Sequence, residues 1–254
     1  MKKLLIALLL AAVCAGGIYA GLRYRKEAVL PVQKTEADAA HLAEQLEPIR
    51  PAVTVGGMQK HTAKNVNLLD KAQSASEDIK AWITIPDTRI DFPVVQSEDN
   101  EFYLDHSVDK TENALGVPFL DCRCLPDFSG FTSIVYGHNV EGMRMFADVA
   151  SYSRQAFLEQ HDTGWLVTEH AVQPVHFFGY LTVRSDSPVY HTVFLTESEK
   201  SDYIDMIFSD AVYTTQQYQP DELKDQRFLL LSTCTFEYEE ARGVLIGVIE
   251  PAEP

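Results

Sequence analysis

Apolar positions in the second two-thirds of the chain fall into short runs rich in β-branched and aromatic residues, each bounded by turn formers. The runs are WITIP at 82–86, RIDFPVVQ at 89–96, VPFLD at 117–121, TSIVYG at 132–137, WLVTE at 165–169, PVHFFGYLTV at 174–183, RFLLLST at 227–233 and GVLIGVIE at 243–250. Runs of this length and spacing predict strands of a barrel or sandwich. Helical patterns interrupt them at MRMFADVASY (143–152), RQAFLEQ (154–160) and ESEKSDYIDMIFSD (197–210). The expected class is therefore mainly β with helical insertions. A further helical stretch is expected just before the first strand, where Val66, Leu69 and Ile79 lie among helix formers.

The N-terminal part has a different pattern. Residues 4–22, LLIALLLAAVCAGGIYAGL, are uncharged and mostly apolar, between Lys2–Lys3 and Arg23, Arg25 and Lys26. As a helix such a run just spans a hydrocarbon core; a cleaved signal peptide is the rival reading. Either one sends the chain through the membrane and places the remainder outside the cytoplasm, although positive charge on both flanks weakens the positive-inside argument. Residues 27–64 are rich in Ala, Glu, Gln, Lys and Pro, with a helix-prone TEADAAHLAEQLEP, and are expected to be a spacer. The predicted organisation is a membrane anchor at 1–26, a spacer at 27–64 and one folded domain at 65–254, without internal repeats.

Composition supports a folded domain: 46% of the 254 residues are hydrophobic. The formal net charge of −16 argues against nucleic acid as a partner, because affinity for phosphate backbones comes from Lys and Arg. The four cysteines, Cys14, Cys122, Cys124 and Cys234, form neither a zinc pattern nor a disulfide framework. Cys122 and Cys124 read as packing or half-exposed thiols. No metal and no cofactor is expected.

Three features at strand edges carry chemistry: His138 in SIVYGHN, Cys234 at the end of LLLSTC, and Arg242 just before the final strand. A thiol becomes a strong nucleophile when it ionises, and an imidazole can exchange its proton. A guanidinium can stabilise the oxyanion formed at an attacked carbonyl, or clamp the substrate. Taken singly, each residue has a blander reading as a packed thiol, a turn residue or a surface charge.

YGHN at 136–139, LSTC at 231–234 and Arg242, in that order, resemble the signature of the sortase family. WITIPDTRIDFPVVQSEDNEFYL at 82–104, GVPFLD at 116–121, Met145–Phe146 and the helical insertion before the Cys-bearing strand resemble class B sortases, over about residues 65–250. The resemblance implies an eight-stranded sortase β-barrel with an N-terminal helical appendage. It implies an extracytoplasmic transpeptidase in which Cys234 cleaves a C-terminal sorting motif of an exported protein after Thr. An amine of peptidoglycan or its lipid-linked precursor then resolves the thioester. His138 would be the acid and base, and Arg242 would hold substrate and stabilise the oxyanion. Asn100 and Leu104, Tyr203 and Ile204, and Ser232 match the family's substrate-groove positions. Thr235 stands where some members carry Glu, and Arg242 follows Cys234 by eight positions. The rival readings are a pilus-assembling sortase using a pilin Lys, whose lid-like Asp-Pro-aromatic motif is missing, and an inactive binding module.

Overall fold

The computed structural model describes residues 32–52, 61–62, 66–140 and 144–251. In chain order the strands are β1 (His61–Thr62), β2 (Ile79–Thr84), β3 (Asp91–Val95), β4 (Phe119–Leu120), β5 (Thr132–Tyr136), β6 (Asn139–Val140), β7 (Arg144–Met145), β8 (Thr163–Val167), β9 (Ala171–Arg184), β10 (Tyr213–Thr214), β11 (Arg227–Cys234) and β12 (Ala241–Ile249). The helices are α1 (Val32–Ile49), α2 (Asp70–Gln73), α3 (Ala147–Ser151), α4 (Gln155–Gln160) and α5 (Glu197–Asp210).

Eight strands close on themselves in the order β9-β12-β11-β5-β4-β3-β2-β8, with β8 returning to β9. Closure depends on the length of β9. Val175–Arg184 pair with β12 along one edge, while Val172–His176 pair with β8 along the other. The short β1 and β10 add to the same strand. A closed barrel leaves few open edges. β11 and β5 run parallel, as do β3 and β4; the other barrel pairs are antiparallel.

The unbroken apolar run of β11, Phe228–Leu231, follows from burial on both faces: its inner residues join the barrel core, and α3 packs across β11 and β12 outside. A strand covered on both sides reads as continuous rather than alternating. The eight strand segments expected from sequence all fall on barrel strands, and the three expected insertions contain α3, α4 and α5.

Two expectations need correction. The helix proposed around Val66, Leu69 and Ile79 is a single turn, α2: Val66 is exposed and Ile79 instead opens β2, paired with Val95. The Ser74 hydroxyl, bonded back to the Asp70 carbonyl at 2.8 Å, lies at the end of that turn. Secondly, the described part of the expected spacer does not hang free. α1 buries Leu42, Leu46 and Ile49, one face at i, i+4 and i+7, in a second core with Leu69, Trp82, Val95 and Tyr103. Gln45 Nε2 donates to Asp109 Oδ2 at 2.7 Å, and Asn113 Nδ2 donates to the Asp38 carbonyl at 3.0 Å. α1 therefore braces the 105–115 loop, which follows directly on Leu104. The apolar run at 4–22 lies outside the described residues, and among those described no helix is long and apolar enough to cross a membrane.

Candidate active site

The three chemistry-bearing residues come from three adjacent strands. β11 lies between β5 and β12. Its last residue, Cys234, is the register partner of Arg242 on antiparallel β12, which puts their side chains on the same face with Cβ atoms about 5 Å apart. On the other side β5 runs parallel, pairing Tyr136 with Ser232. Two residues further along each strand come His138 and Cys234. The chain past β5 stays attached to β11: Gly137 N–H donates to the Ser232 carbonyl at 3.0 Å, Thr233 Oγ1 to the Gly137 carbonyl at 2.7 Å, and Asn139 Nδ2 to the Cys234 carbonyl at 2.8 Å. Gly137 is needed there because a Cβ would lie 2.7 Å from ring carbons of Phe146. Gly243 is likewise confined, since a Cβ would run into the Tyr180 hydroxyl.

His138 Nε2 lies 2.7 Å from the Leu104 carbonyl oxygen. A carbonyl only accepts, so Nε2 carries the proton and Nδ1 is the nitrogen free to exchange one. The carbonyl is held by a 3-10 turn, Phe102–Leu104, against Gly116, whose φ of +57 lets the chain pass directly beside Tyr103 and Leu104.

These residues open on a groove of about 890 Å³. Cys234, His138 and Arg242 line it together with Asn100, Leu104, Tyr203 and Ser232. Its far wall is α5 and the preceding segment. Thr196 and Glu199 form a reciprocal N-terminal cap that starts α5, and the Tyr203 hydroxyl donates to the Val189 carbonyl at 2.8 Å. Tyr190 then reaches across to Ser232, hydroxyl to hydroxyl, at 2.9 Å. Burial pushes the Tyr190 phenol up to about 12, so it stays a neutral hydrogen-bonding group.

A comparison with family models finds no match. Among curated proteins, the chain is 32% identical over 177 residues to Sortase B of Listeria monocytogenes, covering 69% of this chain and 71% of that one. It is 26% identical over 192 residues to Sortase B of Staphylococcus aureus, covering 75% and 77%.

The chain belongs to the sortase B family.

The solved Listeria sortase B superposes with a TM-score of 0.63 at 30% identity, over 70% of this chain and 97% of that one. A Bacillus anthracis protein described as similar to sortase B reaches 0.74 at 21% identity, over 86% and 98%, and a Staphylococcus aureus sortase B–substrate complex 0.68 at 22%, over 75% and 88%. The last two show the shared fold. This sortase is thus a class B-like transpeptidase on the expected eight-stranded barrel.

Of the groove positions taken from the resemblance, Ile204 is the one the geometry does not bring in. It is 1% exposed and packs in the main core with Ile207. Neighbours on a helix point about 100° apart, and it is Tyr203, with Glu199, Asp202 and Met206, that turns toward the groove. Asn100 faces the groove with its Oδ1 accepting from the Cys122 N–H at 2.8 Å. Cys122 and Cys124 are unbridged thiols on a turn, not a strand; Cys124 is buried, and burial pushes its thiol up to about 11. Sequence reasoning passed over the groove residues Arg123 and Tyr190, because an Arg in a turn and a Tyr before a helix carry no motif of their own. The Leu104 carbonyl was equally invisible, since a main-chain acceptor leaves no mark on residue type.

Proposed function

We propose that Cys234 cleaves a C-terminal sorting motif of an exported protein after its Thr and passes the acyl group to an amine of the cell wall or its precursor. The observation that carries this reading is the pairing of Cys234 with Arg242 across β11 and β12, in the groove that His138 also lines. In the first step the Cys234 thiolate attacks the Thr carbonyl carbon. The tetrahedral oxyanion falls to Arg242, because the Thr235 N–H beside the nucleophile is already donated to the Ala241 carbonyl at 3.0 Å. The C–N bond breaks, His138 gives the departing amine the proton that its Nδ1 took from the Cys234 thiol, and a thioester remains on Cys234. An incoming amine then attacks the thioester, His138 takes its proton, and the thiolate is released.

Residues 1–26 would anchor the enzyme at the membrane with the barrel outside the cytoplasm, a reading supported by the apolar run at 4–22. The clients would be exported proteins bearing the motif.

The test is a peptide-library cleavage screen with the purified protein, followed by addition of short amines. Wild type and Cys122→Ala should cleave a Thr-containing motif and yield the amine-transfer product, and Cys234→Ala should yield neither. Full cleavage by Cys234→Ala would overturn the mechanism.

A further inference from the structure

The floor of the groove holds a polar cluster that the transfer chemistry leaves unused. Asp121 is completely buried just past β4. It accepts from Arg123 Nε at 2.9 Å, from Arg123 Nη2 at 2.7 Å, from the Arg123 backbone N–H at 2.9 Å and from the Tyr136 hydroxyl at 2.9 Å. A buried carboxylate needs such partners. The arginine is placed differently: its side chain is 52% exposed and lines the groove.

The side-chain hydrogen bonds that fix the Arg123 guanidinium run through Nε and Nη2. Nε and Nη2 face Asp121, and Nη2 also donates to the Tyr190 carbonyl at 3.2 Å. Among the described residues no hydrogen bond runs from Nη1, and the Tyr136 hydroxyl lies near the guanidinium and supports its charged form. A planar group locked on one edge holds its other edge in a fixed direction, so little side-chain freedom is lost when a ligand binds there. The cluster also connects to the nucleophile. Tyr190, whose carbonyl holds Arg123, bonds through its hydroxyl to Ser232. Ser232 precedes Cys234 by two residues on β11 and shares its face, about 7 Å away.

We infer that Arg123 binds substrate: its Nη1 edge donates to a neutral carbonyl oxygen of the sorting peptide, main-chain or carboxamide, a few residues from the cleaved Thr. This rests on the proposed peptide-cleaving reading. The ligand is a neutral oxygen rather than a carboxylate for two reasons. Asp121 already balances the guanidinium charge, and Asp186, Glu199 and Asp202 line the same groove, so an anionic residue would meet repulsion. The competing role is structural, with the pair only clamping the 121–124 turn to the Tyr190 segment.

The experiment uses the full chain and a Thr-containing peptide that the wild type cleaves, with analogues in which one carbonyl at a time becomes a thiocarbonyl, a weaker acceptor. Arg123→Gln and the double variant Asp121→Asn/Arg123→Gln are compared, the double variant removing the buried charge that the single one leaves unpaired. Both should raise KM roughly tenfold or more with kcat little changed, and the double variant should keep a near-wild-type Tm. One thio analogue should weaken binding to the wild type and have no effect in Arg123→Gln. An unchanged KM in both variants would overturn the inference. So would a KM rise with no thio analogue showing that coupling, which is the structural role. If the wild type forms no acyl-enzyme on Cys234 the parent reading fails, and the inference with it, whereas acylation with an unchanged KM in the variants sinks the inference alone.

Discussion

Cys234 and Arg242 are direct partners across an antiparallel strand pair, so the spacing of their Cβ atoms is set by the backbone ladder of β11 and β12 and not by loop packing, and Arg242 Nη1 donates to the Ala241 carbonyl at 3.0 Å. The seven residues between Cys234 and Arg242 include a turn at Phe236–Glu240 that reverses the chain, with Glu240 at a φ of 59 and bonded to Arg184 and Ser185. A rigid ladder holds a site more tightly than a loop does.

Arg242→Lys should therefore fail as a conservative change. The strand would place the ammonium correctly, but a point charge cannot reproduce the fork of donors. Loss of one oxyanion donor costs about 100-fold to 1000-fold in kcat. Steady-state cleavage should show a fall of about 100-fold in kcat with KM little moved, and activity within a factor of two of wild type would show that the geometry is not used.

Gly116→Ala tests the support beneath His138. The added methyl would press on the carbonyls of Tyr103 and Leu104 from a backbone with φ +57. A non-glycine residue there costs about 1 kcal/mol or more before any clash. Tm should drop, and the Nε2–H signal of His138 in nitrogen NMR, expected from its bond to the Leu104 carbonyl, should broaden or shift. An unchanged spectrum would separate the turn from the imidazole.

Acid stability should depend in part on Asp121. Burial alone raises its pKa, but hydrogen bonds from Arg123 and Tyr136 outweigh that and hold it below the ordinary 3.8. A carboxyl depressed in the folded state stabilises fully above its unfolded value, and the contribution is lost as pH falls through the lower folded value. Asp78 and Asp148 are depressed in the same direction. Tm should thus fall as pH drops from 5 to below 3.8, and Asp121→Asn should flatten part of that fall while starting from a lower Tm. Identical slopes would contradict the assignment.

Leu46→Ala tests whether α1 belongs to the folded body. Leu46 is buried against the second core, and truncating a buried Leu costs about 2–5 kcal/mol. Chemical denaturation should show a loss near the lower end of that range; no change would return the segment to the role of a tether.

Strands such as Phe228–Leu231 and Val244–Ile249 were legible because burial on both faces forces an unbroken apolar run. His138, Cys234 and Arg242 were legible as residue types, and their meeting follows from the strand order β5-β11-β12, which no local pattern encodes. α1 reads from sequence as a helix-prone spacer, because its charged face dominates the composition and only Leu42, Leu46 and Ile49 betray docking. Ile79 was misplaced because helix formers precede it, whereas its β-branched side chain serves a strand paired with Val95. Ile204 was carried into the groove by resemblance alone, and helix phase turns it into the core.

The most direct test is intact-mass analysis of the enzyme caught with its cleaved peptide in the absence of an acceptor amine. The account predicts one acyl adduct, mapped by digestion to Cys234, released by hydroxylamine and absent from Cys234→Ala. An adduct on Cys122, or turnover with no adduct and full activity in Cys234→Ala, would contradict it.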